Sequence, residues 1–227
     1  MRILLLGHGR MGQLVEALAP SYGASIAAII DERSGERAIA DGTFEADVAI
    51  DFTLADAVPK NLPQLAQRKI NVVIGTTGWQ AQEAAMRDVA TKAGIGVLAA
   101  SNFSLGMNIF QLAVEEASRN FARHDEFGAW LHESHHAMKK DAPSGTAVTI
   151  KQGMERAGYT RPIDVSSSRV GHVPGTHTVG FDGPSETIEL THTVRDRAVF
   201  ARGALTAAQW LIGKRGWFSI RDLLVQS

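Results

Sequence analysis

The chain contains no cysteine. That absence removes disulfide frameworks, thiolate zinc sites, iron–sulfur clusters and cysteine nucleophiles together, and it leaves a reducing cytoplasm as the expected compartment. An excess of one charge is missing as well: 23 Lys+Arg face 24 Asp+Glu, for a formal net charge of -1. No global basic field exists to hold a nucleic acid or an acidic membrane surface, so neither is an expected partner. Long apolar runs are also lacking. The N-terminal run Ile3 to Leu6 is far shorter than a signal-peptide core, and nothing approaches the ~18 residues of a membrane span. The expectation is a soluble, intracellular protein. Apolar residues at 44% and charged residues at 21% are ordinary globular usage, which argues against disorder and coiled coils. A length of 227 residues suits one large domain or two small ones. What the chain has in excess is glycine, 22 residues where usage of ~7% would give fewer.

The glycines punctuate a regular pattern. A buried-type strand, Arg2 to Leu6, leads into the turn Gly7 to Gly12, and an amphipathic stretch from Met11 to Ala19 ends at Pro20. A second apolar run, Ile26 to Ile30, stops at Asp31, completing a βαβ unit. Further apolar runs at Val48 to Phe52, Val72 to Ile74 and Ile95 to Leu98 alternate with helical patterns at Asp56 to Arg68 and Gln80 to Ala93. Pro59 and Pro63 predict that the first of these helices is broken or starts late. The rhythm is that of a parallel sheet with crossover helices, and Gly75 and Gly78 fall at strand ends where such sheets bind ligands. After about residue 103 the rhythm changes: a helix over Leu105 to Phe121, a strand over Phe127 to His132, a histidine-rich loop to Pro143, and a helix from Ser144 to Arg156. Residues Asp164 to Val194 alternate like strands, and helical spacing returns at Ala198 to Ile212 and Ile220 to Val225. The expected fold class is α/β: a Rossmann-type parallel sheet domain (1–103 and 198–227) carrying an inserted α+β domain (104–197) with a mainly antiparallel open sheet.

Gly7-His8-Gly9-Arg10-Met11-Gly12 fits G-x-G-x-x-G, a weak signal alone. Its setting strengthens it, because it follows a strand, opens a helix, and precedes Asp31 at roughly the 20-residue spacing of dinucleotide-binding units. Gly7 permits the sharp turn, Gly9 lets backbone approach a pyrophosphate, Gly12 allows close packing, and the helix N-terminus favours the anion. Asp31 suits the ribose hydroxyls of NAD. Asp31 and Glu32 oppose a 2′-phosphate while Arg33 attracts one, so the expected cofactor is NADH or NADPH, with NADH favoured.

The segment from Glu133 to Ala147 is the densest chemistry in the sequence. His132, Glu133, His135 and His136 offer metal-ligand atoms, but neighbouring residues of an extended chain point apart and Lys139 and Lys140 oppose a dication. No metal is expected. The better reading is recognition and protonation of a small anion: Lys139 supplies charge, the Gly145 and Thr146 amides at a helix N-terminus receive a carboxylate, and a histidine supplies a proton. Beside a hydride donor, this is equipment for reducing a C=C or C=N bond.

At these residues the sequence resembles the 4-hydroxy-tetrahydrodipicolinate reductase (dihydrodipicolinate reductase) family. The pattern His-His-x-x-Lys-x-Asp-Ala-Pro-Ser-Gly-Thr-Ala runs without a gap from His135 to Ala147. Supporting matches lie at Gly9 to Gly12, Ile50 to Thr53, Val73 to Gly78, Ser101 to Ser104, Gly171 to Thr178 and Glu189 to His192. The resemblance implies NAD(P)H-dependent reduction of a small cyclic dicarboxylate in diaminopimelate and lysine biosynthesis. It further implies that His135 is the proton donor, that Lys139 assists that step and binds substrate, and that His136 joins Gly145 and Thr146 on the carboxylates. The cofactor would contact Gly75, Thr76 and Thr77, and Ser101, Asn102 and Phe103, besides the glycine loop and Asp31. A cytoplasmic homotetramer is implied too. The glycine loop is one residue shorter than the commoner family form, and Leu54 stands where some relatives carry arginine. Two other readings compete: a different nicotinamide-dependent imine or amino-acid dehydrogenase, and a non-catalytic NAD(H) sensor, which would need no His135/Lys139 pair.

Overall fold

The computed structural model describes residues 1–35 and 37–225. They form two units, Met1–Leu105 with Ala198–Ser227, and Gly106–Arg197. In chain order the first unit begins with β1 (Arg2–Leu6), α1 (Arg10–Leu18), β2 (Ser25–Ile30), α2 (Ala38–Asp41), β3 (Val48–Asp51), α3 (Val58–Gln67), β4 (Asn71–Ile74), α4 (Glu83–Ala93) and β5 (Gly96–Ala99). The second unit is built from α5 (Leu105–Phe121), β6 (Gly128–His135), α6 (Gly145–Arg156), β7 (Ile163–Arg169), β8 (Thr176–Asp182) and β9 (Thr187–Thr193). The chain then returns to the first unit with α7 (Ala198–Leu211), β10 (Gly216–Phe218) and α8 (Ile220–Val225).

The first unit is the Rossmann-type layer stack expected. Its sheet has the order β10-β5-β4-β3-β1-β2, every pair parallel. Strands buried on both faces need apolar residues at consecutive positions, and alternate residues serve opposite cores. Ile3, Leu5, Ile50, Val73 and Leu98 pack with Val15 of α1, the alanine-rich α7 and Leu223 of α8. Leu4, Leu6, Ala49, Val72, Ile74 and Val97 pack on the other side with α3 and α4. The strand order reverses at β1, which lies between β2 and β3, so the crevice for a ligand opens beyond the ends of β1 and β3.

α3 starts late, at Val58 with Pro59 in its first turn, yet it runs through Pro63 to Gln67. The three-residue edge strand β10 carries too short an apolar pattern, between Gly213 and Ser219, to be read from the sequence. No helix among the described residues is long and apolar enough to cross a membrane.

The second unit has the sheet order β7-β6-β8-β9. Two of its ladders are antiparallel, and β6 with β7 is parallel because α6 crosses over between them. α5 and α6 cover one face through Met107, Phe110, Val114, Ile150 and Met154, packed against Leu131, Val179 and Phe181. β6 runs three residues beyond the predicted end at His132, so Glu133 and His135 belong to a strand rather than a loop. Its burial alternates strictly, with Ala129, Leu131, Glu133 and His135 on the buried face.

Candidate active site

The glycine loop of the first unit is shaped by close backbone approach. Gly7 has φ +85, and a Cβ there would lie 2.5 Å from the Phe52 carbonyl oxygen; one on Gly12 would lie 2.1 Å from the Gly7 carbonyl oxygen. Around Gly9, by contrast, a Cβ would meet nothing within 4 Å. Gly9 is also the N-cap of α1 and provides no side chain to occupy the first-turn amides. An open cradle with helix N–H groups unclaimed by a cap suits a pyrophosphate. A cleft of ≈ 390 Å³ opens here, lined by Gly9, Arg10, Met11, Gly75, Thr76 and Thr77 among others. His8 turns instead toward α1, where Nε2 lies 2.7 Å from Glu16 Oε2. Asp31, just past β2, accepts the Arg33 amide at 2.9 Å.

A second cavity of ≈ 450 Å³ shares Thr76 and reaches Ser101, Trp79, Arg87 and Trp217. Asn102 Oδ1 accepts the Ser104 amide at 2.8 Å. Phe103 is 2% exposed and sits edge-on to Phe52 at 6.3 Å, which is a core position.

Asp51 organises this crevice, a role that motif reading passes over. Its carboxylate is buried at the end of β3. It accepts from the Thr53 amide (2.9 Å), Thr53 Oγ1 (2.6 Å), Thr76 Oγ1 (3.0 Å) and Asn61 Nδ2 (3.1 Å). One side chain thereby ties the loop after β3 to the loop after β4, both of which line the cleft.

In the second unit, the ends of β6, β7 and β8 and the start of α6 converge on a buried polar cluster. Glu133 is fully buried. It hydrogen-bonds His135 Nδ1 through Oε2 and accepts two guanidinium bonds from Arg169, at 3.0 Å to Oε2 and 2.7 Å to Oε1. The Ser144 amide adds a fourth donor at 3.3 Å. Ser144 also caps α6, its Oγ accepting the Ala147 amide at 3.2 Å and lying 3.2 Å from His177 Nε2. His177 is buried with its ring edge-on to His135 at 5.2 Å.

Lys139 follows the strand and pairs with Asp141 at 2.8 Å. Half-buried His136 places its carbonyl 3.1 Å from the Lys139 amide. Gly145 and Thr146 form the first turn of α6, which contains no acidic residue, while the Asp141 carboxylate on the preceding loop accepts the Gly145 amide. The structure thus gathers His135, Lys139 and the α6 N-terminus in one unit, and adds Glu133, Arg169, Ser144 and His177. Strand parity would have found Glu133, two residues before His135. Arg169 required the β6–β7 register.

The electrostatics follow from burial and partners. Burial acts to raise the Glu133 carboxyl, but hydrogen bonds from Arg169, Ser167 and His135 outweigh it and bring the pKa down to about 2. Burial lowers His135 below its ordinary 6.5; Glu133 opposes that shift, while the Lys139 and Arg169 charges add to it. His177 is pushed down to about 4, mainly by burial and then by His135.

Glu133, His135 and His177 present ligand atoms within 4.8 Å of one another. Glu133 is already satisfied by a guanidinium, an imidazole and an amide. The donor set therefore fits a hydrogen-bonded network better than a cation site. His132 bonds Ser166 Oγ at 2.8 Å and does not join the cluster.

The comparisons with known proteins cover the same ground. The family model described as dihydrodipicolinate reductase, N-terminus, matches residues 1–103, and its C-terminus counterpart matches residues 106–224. A 4-hydroxy-tetrahydrodipicolinate reductase of Christiangramia forsetii is 36% identical, with 99% of this chain and 98% of the relative covered. One of Methanoregula boonei is 38% identical, over 98% and 97%. Among solved structures, a dipicolinate-bound dihydrodipicolinate reductase from Paenisporosarcina sp. TG-14 has a TM-score of 0.83 at 19% identity, covering 96% of this chain and 97% of that one. A probable dehydrogenase from Thermotoga maritima shares the fold more loosely, with a TM-score of 0.65 at 12% identity, covering 98% of this chain and 92% of its own. With the two family models together matching residues 1–103 and 106–224 and relatives aligned over nearly their whole length, the chain belongs to the dihydrodipicolinate reductase family.

Proposed function

We propose that the protein reduces 4-hydroxy-tetrahydrodipicolinate, by way of dihydrodipicolinate, to tetrahydrodipicolinate in diaminopimelate and lysine biosynthesis. The observation that carries this reading is the His135–Ala147 segment, in which a histidine bonded to an ionised carboxylate shares one unit with Lys139 and the α6 N-terminus, whose Gly145 amide already holds a carboxylate, that of Asp141. Relatives that share this chain's full length bear the name of that reductase, and a protein of the same fold binds dipicolinate.

The glycine loop and the crevice around Thr76 and Thr77 would hold a reduced nicotinamide, which would supply the hydride when bound. His135 donates the proton at the neighbouring ring atom, and Lys139 holds the developing negative charge. His136 and the Gly145 and Thr146 amides grip the carboxylates, which fixes the ring's orientation, an effect worth several kcal/mol. Gly7, His8, Gly9, Arg10, Met11, Gly12 and Asp31, with Ser101, Asn102 and Phe103, complete the proposed cofactor contacts. NADH is favoured over NADPH, because the Asp31 and Glu32 carboxylates would repel a 2′-phosphate that Arg33 alone would attract. Residues 1–103 and 198–227 serve the cofactor, 104–197 serve the substrate, and the working form is a cytoplasmic homotetramer.

The test follows NADH and NADPH absorbance with freshly generated hydroxy-tetrahydrodipicolinate. Turnover with kcat/KM higher for NADH is the expected result, and no consumption of either coenzyme overturns the reading. His135→Gln should lower kcat far more than it raises KM. Sedimentation analysis checks the tetramer.

A further inference from the structure

His135 stands on a partner that its role as proton donor does not by itself explain. Glu133 is fully buried and ionised, and its oxygens are taken by Arg169, the Ser144 amide and His135 Nδ1. An ionised carboxylate only accepts hydrogen bonds, so Nδ1 must carry a proton in both charge states of the ring. Proton exchange is thereby confined to Nε2. That atom faces Gly175, where a Cβ would come within 3.0 Å of it.

Arg169 is the paired residue of His135 in the parallel β6–β7 ladder. Besides clamping Glu133, it donates to the Asp141 carbonyl, on the loop whose Asp141 side chain holds Lys139 at 2.8 Å.

The geometry points to Glu133 and Arg169 as positioning residues of the proton-transfer step: Glu133 fixes the tautomer and ring of His135, and Arg169 limits how strongly that carboxylate holds the imidazolium. The inference rests on the reading of His135 as proton donor. Without Arg169, the buried carboxylate would bind the imidazolium as a close ion pair and make the proton harder to release. Without Glu133, Arg169 and Lys139 would together discharge the ring, and Nδ1 would lose its anionic partner. The charged and titratable groups facing His135 are Glu133 on its own strand, Arg169 on β7, His177 on β8 and Lys139 on the following loop, the last paired with Asp141.

The test uses the full-length protein and two readouts. Histidine side-chain NMR of the 15N-labelled wild type, assigned with His135→Gln, should show neutral His135 protonated at Nδ1 and titrating at Nε2. A neutral ring protonated at Nε2 overturns the proposal without any variant of Glu133 or Arg169. The pH profile of kcat/KM then separates the two residues. Glu133→Gln should move the His135 limb to lower pH and reduce kcat by about 10²- to 10⁴-fold with KM changed less than about threefold, the range spanned by the loss of a positioned general acid. Arg169→Gln should move the limb to higher pH, and Arg169→Lys should return it toward wild type. Shifts in the same direction, or none in either variant, sink the assignment. If wild-type enzyme fails to consume NAD(P)H with the substrate, the functional reading fails, while the NMR result still decides the tautomer.

Discussion

His177 offers a direct test of how the buried cluster is held together. Its ring is 3% exposed, Nε2 lies 3.2 Å from Ser144 Oγ, and burial with the His135 charge lowers its pKa from 6.5 to about 4. A histidine whose folded pKa is depressed binds a proton more readily when unfolded. Its contribution is therefore fully present above pH 6.5 and is lost as pH falls through the folded value. Between pH 7 and pH 4.5 the linkage relation gives a loss of about 2 kcal/mol from this one side chain. His177→Gln keeps a hydrogen-bonding partner for Ser144 and removes the titration. The variant should lose about 1 kcal/mol at pH 7 through poorer packing and bonding, but should fall much less than wild type on acidification. Urea unfolding of both proteins at pH 7 and pH 4.5 gives the comparison, with equal m-values showing that the unfolded states are alike. His135 and His192 are also lowered, so the difference between the two proteins reads His177 together with its coupling to His135. A difference in acid sensitivity under about 0.5 kcal/mol would refute the claim that the ring is held neutral by burial.

Other outcomes follow from the same geometry. Gly175→Ala places a Cβ 3.0 Å from His135 Nε2 at a residue with φ +149; it should cost about 1–3 kcal/mol of stability and lower kcat at least about tenfold, and wild-type turnover would show that His135 has room to move. Gly12→Ala drives a Cβ to 2.1 Å from the Gly7 carbonyl oxygen, so a loss of about 3 kcal/mol with weakened NADH binding is expected in thermal melts and fluorescence titration. Asp51→Ala strands the donors of buried Thr76 and of half-buried Thr53 and Asn61; at about 1–3 kcal/mol for the buried hydroxyl and less for the other two, urea unfolding should show a loss of about 2–4 kcal/mol, and KM for the coenzyme should rise. Burial moves His135 below 6.5 in the free enzyme, whereas a bound dicarboxylate favours the imidazolium. The falling limb of kcat should therefore lie at higher pH than that of kcat/KM, and coincident limbs would contradict a substrate anion beside His135.

What the sequence conveyed depended on the range of the interaction. The parallel sheet was legible because Leu4 and Leu5 must both be apolar when cores lie on both faces of β1. Ser144 announced the start of α6 because a cap acts within one turn. Two kinds of feature were not read. β10 is too short to show a period, and it is a strand only because Trp217 pairs beside Val97 in the sheet. The end of β6 looks like a loop in sequence because polar residues replace apolar ones there, although the alternation through Leu131, Glu133 and His135 never breaks. That substitution marks the site itself: a strand continues its two-residue period while the buried face changes from packing to charge. Such a face is stable only if a cation arrives from elsewhere in the chain, and Arg169 comes 36 residues later through the β7 register. Local rules locate His135, but the group that makes a buried Glu133 tolerable is set by strand pairing.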